Sequence, residues 1–147
     1  MIGRSLTSFM KHSFLLQFFV CLLLFLVIDG LWLGVVAQDF YFREVGSLIS
    51  EQVNWVAGGF FYLVFVVGLL QFAVRPALAS GDFKKAMQNG GLLGLVAYGT
   101  YDLTNLAVLP GWSLSLTVVD LIWGTVLSAI VSAGTYLIVK SITKVRS

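Results

Sequence analysis

Residues 14–36 read FLLQFFVCLLLFLVIDGLWLGVV, and this stretch decides the fold class. An α-helix needs about 20 consecutive apolar residues to cross the hydrocarbon core of a bilayer, and this run is long enough. Its single charged residue is Asp29. Because an ionisable group at membrane depth is costly and is usually kept for a function, Asp29 is the first candidate site residue.

The composition of the whole chain agrees with this first stretch. Of its 147 residues, 59% are hydrophobic and 11% are charged, and the mean hydropathy is +0.95. Soluble domains usually carry about a quarter charged residues, so the chain falls in the membrane class. We expect residues 1–147 to form one transmembrane domain. The net charge of +2, without a basic patch, excludes nucleic acid as a partner.

Three further stretches are apolar enough to cross a membrane, which predicts an all-α, four-helix transmembrane bundle. The predicted spans are Phe14–Val36, Val53–Val74, Ala86–Leu109 and Leu114–Val139. Arg75-Pro76 predicts the end of the second span, and Ser80-Gly81-Asp82 a turn and a cap before the third. Pro110-Gly111 predicts a tight turn that makes the third and fourth spans antiparallel neighbours.

The basic residues predict the orientation. Eight of the nine would lie on one side, namely Arg4, Lys11, Arg75, Lys84, Lys85, Lys140, Lys144 and Arg146, and Arg43 alone on the other. The positive-inside rule then places both termini in the cytoplasm. The first stretch also resembles a signal peptide cleaved near Val35-Val36-Ala37. Its length and the nearby Trp32 favour a retained span.

The segment after the first span has its own helical periodicity. Its apolar residues are Tyr41, Val45, Leu48, Ile49 and Val53, and Arg43, Glu44, Ser47 and Glu51 lie opposite. This pattern predicts a short amphipathic helix on the outer membrane surface, which would form a partial lid. An unstructured loop with incidental spacing is the alternative.

Four polar residues share one predicted depth. Asp29 and Asp102 lie about seven residues before the outer ends of their spans, Asp120 about six after its start and Tyr62 about nine. At 1.5 Å per residue, the aspartates lie about 10 Å below the outer surface. The predicted ligand- or ion-binding residues are Asp29, Asp102, Asp120, Asn105, Tyr98 and Tyr62.

Neighbouring residues are expected to support this layer. Trp32 follows Asp29 by three residues and Trp123 follows Asp120 by three, so each pair shares a helix face and the indole N–H can donate to a carboxylate. Tyr101 and Thr104 lie beside the polar stripe of the third span, which we expect to face the bundle interior or a wet cavity. Gly90 and Gly94, and Gly124, Ser128 and Ser132, form small-residue ridges for close helix packing.

The residue types narrow the chemistry. An all-oxygen set suits a proton or a hard cation such as Mg²⁺, Ca²⁺ or Mn²⁺, with Asp29, Asp102 and Asp120 as the ligands of any metal. One histidine and one cysteine exclude a bis-histidine haem, a zinc site, an iron–sulfur cluster and a Ser-His-Asp hydrolase. No cofactor is predicted. The expected partners are the lipid bilayer and a second copy of the chain.

Residues 98–105, YGTYDLTN, resemble the signature of a bacterial family of small, four-span inner-membrane proteins of unknown function. The resemblance extends to Asp29 with Trp32, Phe61-Tyr62, Arg75-Pro76, and Val119-Asp120 with Trp123-Gly124. It implies the four-span architecture and a polar layer shared by the family. It also implies that relatives can neighbour lipid-modifying enzymes such as cyclopropane-fatty-acid synthases. This would favour a role in membrane lipid chemistry or stress response.

Three hypotheses follow. The first is a non-enzymatic protein that binds or transports a cation, a proton or a small polar ligand. The second is an accessory or enzymatic role in lipid modification, which predicts a lipid-shaped groove between helices beside the aspartates. The third is a structural protein, since polar side chains in membrane bundles also act as interhelical glue worth about 1 kcal/mol or less each.

Overall fold

The computed structural model describes residues 2–48 and 52–145, and the side chains of residues 14–48 and 52–143. All regular structure in this part of the chain is helical. The elements are α1 (Ile2–Leu31), a π-helical turn (Trp32–Val36), α2 (Gln38–Val45), α3 (Trp55–Leu69), a second π-helical turn (Leu70–Val74), α4 (Arg75–Ser80), α5 (Phe83–Val108) and α6 (Leu114–Val145). The predicted all-α class is therefore confirmed.

Three helices are long and apolar enough to cross a membrane. They are Phe14–Val36, Trp55–Ser80 and Leu114–Thr143. The predicted third span forms α5, which is a continuous helix but carries too many polar residues to qualify by composition. Length and hydropathy therefore support three spans, and α5 depends on its neighbours for burial.

The second predicted span does not end at Arg75-Pro76. The helix continues to Ser80 and ends at Gly81, whose φ of 69° is left-handed, while the Asp82 side chain caps α5. Pro76 has no N–H for the carbonyl of Phe72, and its ring would clash there in a regular α-helix. The π turn widens the helix at this point, and Asn89 Nδ2 donates to the Phe72 carbonyl at 3.0 Å.

Helices α5 and α6 form the most extensive helix pair. They are antiparallel neighbours joined by the predicted turn, where Gly111 has a φ of 86°. A Cβ on Gly94 would lie 2.1 Å from the Gly124 carbonyl oxygen, and one on Gly90 would lie 2.3 Å from Ser132 Oγ. The predicted close packing of small residues is thus confirmed, because only glycine allows this approach.

The apolar core lies below the polar site. Residues from α1, from the helix Trp55–Ser80 and from α6 form it, and they include Cys21, Phe25, Val66, Leu69, Leu70, Leu127 and Val131, all fully buried. Two basic side chains lie at the far end of the bundle: the Arg75 guanidinium is 5.9 Å from the Phe14 ring centroid, and Lys140 Nζ donates to Tyr136 Oη at 3.0 Å.

Part of the amphipathic prediction can be compared with the structure. Helix α2 covers Gln38–Val45, with Val45 buried and Arg43 exposed, as expected, but Glu44 is half-buried. The predicted Ile49 and Glu51 lie outside the described residues, as do Arg146 and the side chains of Arg4, Lys11 and Lys144.

Gly94→Ala is expected to lower the free energy of unfolding by about 1–3 kcal/mol, because the new methyl group forces α5 away from α6. Gly59→Ala is the matched control, since a Cβ there has no atom within 4 Å. Thermal unfolding in detergent measures both. Equal stability of the two variants would contradict the tight α5–α6 contact.

Candidate functional site

Asp29 is buried and has two hydrogen-bond donors from other helices. Tyr62 Oη on α3 donates to Oδ2 at 2.9 Å, and Trp123 Nε1 on α6 donates to Oδ1 at 3.1 Å. One carboxylate therefore joins α1, α3 and α6. Hydrogen bonds to a charged acceptor are among the stronger ones, and more so away from water.

The two tryptophans form a stacked pair. The rings of Trp32 and Trp123 lie 4.2 Å apart between centroids and 10° from parallel. The Asp-x-x-Trp spacing was expected to pair an indole with a carboxylate of the same face, but Trp123 donates to Asp29 of α1, and Trp32 donates to Tyr41 Oη at 3.3 Å. Residues on one face point together at the neighbouring helix, so the donors find acceptors across the interface.

Helix α2 contributes a residue to the site. Tyr41 Oη donates to Asp120 Oδ1, and in the same helix Glu44 accepts from Ser113 Oγ, at the start of α6. Burial raises the pKa of the Tyr41 phenol, and the Asp120 carboxyl adds to this effect, so Tyr41 stays a donor at neutral pH. The amphipathic helix is therefore held over the outer end of the bundle by two side-chain contacts.

Asp102 and Asp120 interact with each other. Asp102 is 0% exposed, and neither of its carboxyl oxygens has a partner with hydrogen-bond geometry. Its main electrostatic neighbour is the Asp120 carboxyl. An unpaired buried carboxylate is expensive, which makes Asp102 the most costly side chain of the site.

A cavity of about 680 Å³ lies in the half of the bundle that α2 covers. Its volume is typical of small-molecule sites, which run to about 1,000 Å³. Six helical elements contribute to its wall, namely α1, the first π turn, α2, α3, α5 and α6. The wall consists of Asp29, Leu33, Tyr41, Gly58, Phe61, Tyr62, Ala97, Tyr98, Tyr101, Asp120 and Trp123. Asp102 is not part of this wall; its carboxyl lies behind that of Asp120.

Helix α5 is polar around more than one face. Tyr98 lines the cavity and packs so closely on α6 that a Cβ at Gly124 would lie 2.2 Å from its ring. Asn105 is half-buried, whereas Tyr101 and Thr104 are exposed. Tyr101 is exposed but also lines the cavity, whereas exposed Thr104 departs from the expectation that this stretch faces the bundle interior or a wet cavity. Eight consecutive helical residues point in all directions, so they cannot share one environment.

The structure gives no support for a metal cluster of the three aspartates. Among the described residues, no group of three or more His, Cys, Asp or Glu side chains could hold a metal ion. Asp29 is already engaged by Tyr62 and Trp123, and Asp102 faces Asp120 instead of a common centre.

Sequence reasoning missed five wall residues as site residues. These are Leu33, Tyr41, Gly58, Phe61 and Ala97. Tyr41 carried a signal, since a tyrosine on the apolar face of an outer amphipathic helix directs its hydroxyl into the bundle. Gly58 and Ala97 carried none, because they matter only through the space they leave open.

Comparison with known proteins supports the membrane assignment. The family DUF2177, described as a predicted membrane protein, matches residues 14–137. The chain belongs to this family. The match covers α2 to α5 and every wall residue of the cavity, so the cavity lies in the family domain. No curated protein and no solved structure matches the chain significantly.

Tyr41→Phe removes the hydroxyl that joins Trp32 to Asp120 and keeps the ring. Since the Trp32 N–H loses its acceptor and Asp120 a donor, we expect the free energy of unfolding to fall by about 1–3 kcal/mol. Thermal unfolding in detergent checks this. Tyr101→Phe, on an exposed side chain, should change it by about 0.5 kcal/mol or less. Equal losses would show that the Tyr41 bridge is not formed.

Proposed function

We propose that the chain is a binding protein whose outer cavity takes a small, positively charged ligand. The observation that carries the proposal is the cavity wall, in which Asp29 and Asp120 stand among aromatic rings and none of the described wall residues is basic. A cation over aromatic faces is attracted by their quadrupoles, and this attraction grows when water is excluded. An organic cation fits such a wall better than a metal ion, which needs several converging oxygens.

Asp120 is the best placed acceptor. Asp29 accepts from two donors, whereas Asp120 accepts from Tyr41 and has further capacity, because an ionised carboxylate offers about four lone-pair sites. In this arrangement Tyr62, Tyr98 and Trp123 contact the ligand. Trp32 and Tyr41 orient the side chains of the wall. Asp102 lies behind Asp120. Asn105, Tyr101 and Thr104 would act at its edge.

The apolar core favours binding over transport by a single chain. Val66, Leu69, Leu70, Leu127 and Val131 are fully buried between the cavity and the basic end of the bundle. A polar ligand would meet mostly apolar side chains along that route, with the buried hydroxyls of Ser128 and Ser132 as exceptions. A transport role would therefore need a second copy of the chain or a large helix movement.

The proposed setting is a bacterial inner membrane with four spans and both termini in the cytoplasm. Helix α5 is the remaining span, since its close packing against α6 accompanies the full burial of its one acidic residue, Asp102. The clustering of Arg75 and Lys140 at the end opposite the cavity supports the orientation by the positive-inside rule. Exposed Thr104 on α5 supports a homo-oligomer, where a second copy would cover its hydroxyl.

A second candidate function is an acid/base role in lipid modification. It is favoured by the position of the cavity between helices and beside Asp29 and Asp120, where a lipid-shaped groove was expected. Measuring ligand binding and product formation in parallel distinguishes the two candidate functions. A catalytic carboxyl would be needed for product formation but not for retention of the substrate.

Ligand-dependent stability tests the binding function. A ligand that binds only the folded state at 100 times its Kd stabilises it by about 2.7 kcal/mol. We expect tetramethylammonium to raise the melting temperature of the wild type, and Asp120→Asn to lose this response. The same melting-temperature measurement with Mg²⁺, Ca²⁺ and Mn²⁺ tests the alternative that the cavity binds a metal ion.

The matched control is Asp39→Asn, on the exposed part of α2, which should respond like the wild type. Acid pH is tested separately, since protonation of Asp120 should abolish the tetramethylammonium response. If wild type and Asp120→Asn differ only by a constant offset under all conditions, the polar layer is structural and the proposal fails.

Cysteine labelling tests the four spans. In a Cys21→Ser background, a membrane-impermeant maleimide should label Ser47→Cys and Ser115→Cys from outside the inner membrane, but Ala79→Cys only after permeabilisation. These three positions are exposed and lie beside α2, α6 and α4. Labelling of Ser115→Cys only after permeabilisation would show that α5 does not cross the membrane.

A further inference from the structure

Two helices form a rim where the cavity meets the bundle surface. Phe61 of α3 and Tyr101 of α5 line the cavity and are also 46% and 59% exposed. Gly58 and Ala97 line it beside them. Side chains that are both in the wall and on the outside mark an opening. Since Tyr62, next to Phe61, bonds to Asp29, this opening lies at the depth of the buried carboxylate.

The packing explains why the helices are apart here. Helix α5 is held against the π turn Leu70–Val74, where Asn89 donates to the Phe72 carbonyl, and it makes little contact with α3 beyond this point. Gly58 brings no side chain to close the gap, and a Cβ built on it has no atom within 4 Å. The opening is therefore formed by the backbone arrangement and does not need a side chain to move.

The opening faces the bilayer. At this level the outward face of α3, turned away from the cavity, carries Phe60, Leu63 and Val64, all exposed and all apolar. The outward face of α5 carries exposed Val96 and Leu103, with exposed Thr100 and Thr104 nearer to the opening. A molecule that passes between α3 and α5 must therefore come from the hydrocarbon region of the membrane, and its outer part must be compatible with lipid tails.

The inner part of the same molecule must suit the wall. Asp29 and Asp120 are acceptors when ionised, and no described wall residue carries a positive charge to hold a phosphate or a sulfate. An anionic head group would face two carboxylates at short range in a medium of low dielectric, which is strongly unfavourable. A head group with a positive charge meets both carboxylates and the rings of Tyr62, Tyr98 and Trp123.

We infer that the cavity binds single-chain cationic amphiphiles that enter laterally from the bilayer. The ammonium head lies against Asp120, and the apolar chain leaves between Gly58 and Ala97 into the lipid. This inference rests on the proposed binding of a positively charged ligand and adds its chemical class and its route. It also gives α2 a role, since Tyr41 and Glu44 hold α2 over the outer end and leave the lateral opening as the access.

The test compares three probes on the full chain in lipid nanodiscs. They are dodecyltrimethylammonium, tetramethylammonium with the same head and no chain, and dodecylphosphocholine with the same chain and an added phosphate. Fluorescence of the stacked Trp32–Trp123 pair is the readout, in a background where Trp55 and Trp112 are replaced by Phe. Concentrations stay below the micellar range and are expressed per lipid.

The decisive variant is Gly58→Leu, which narrows the opening, with Gly59→Leu as the matched control at the next position. A Cβ on either glycine has open space around it, but only Gly58 lines the cavity. We expect Gly58→Leu to lower the affinity for dodecyltrimethylammonium by about tenfold or more and the affinity for tetramethylammonium by about threefold or less. Gly59→Leu should lower neither affinity. Ala97→Leu closes the opening from the other side and repeats the test, with melting temperatures as the check on folding.

The outcomes separate this inference from the proposed function. If neither cation binds, or if Asp120→Asn leaves both affinities unchanged, the proposed function fails and the inference with it. If tetramethylammonium binds but Gly58→Leu and Ala97→Leu weaken the long-chain cation no more than Gly59→Leu, the cavity is filled from water and the lateral route is wrong. If dodecylphosphocholine, whose head keeps the trimethylammonium group and adds a phosphate, binds as tightly as dodecyltrimethylammonium, the inferred exclusion of anionic groups from the cavity is wrong.

Discussion

The hydrogen bonds of the Asp29 carboxylate are the constraint on which the outer half of this protein depends. At membrane depth, a carboxylate has no water to accept from, so the protein itself must supply the donors. Tyr62 and Trp123 supply them from two other helices. This requirement sets the relative rotation of α1, α3 and α6, and the Trp32–Trp123 stack and the position of the cavity follow from it.

The inner half of the bundle is held by a different interaction. There α5 and α6 approach through glycine and serine, and the core beside them consists of apolar side chains. In lipid, such contacts replace the hydrophobic effect as the source of helix association, since the tails are as apolar as the core. Close helix packing thus stabilises the basic end of the bundle, and a polar hydrogen-bond network stabilises the other end. This division allows a cavity to exist without loss of the bundle.

Pro76 interrupts the regular hydrogen bonding of its helix, and this local irregularity influences where the opening of the cavity lies. The proline removes one donor, the π turn accommodates its ring, and Asn89 of α5 takes the free Phe72 carbonyl. These contacts tie α5 to the inner part of the second span. Above them the two helices separate, and the opening at Gly58 and Ala97 results. The Arg75-Pro76 pair, which looks like a helix end in the sequence, therefore lies near the point from which the two helices diverge to form the cavity wall.

The sequence by itself determined the helical membrane class, the turns at Gly81 and Gly111 and the candidate residues Asp29, Asp102 and Asp120. These depend on the length of apolar runs and on backbone preferences, which are local properties. Only the tertiary structure decided which donor serves which carboxylate. The Asp-x-x-Trp spacing could not reveal that Trp123 bonds to Asp29 and Trp32 to Tyr41, because such pairs depend on helix rotation. The same holds for Gly58 and Ala97, whose contribution is empty space between two helices, and for exposed Thr104, which shares its polar stretch with buried Asp102 but points elsewhere.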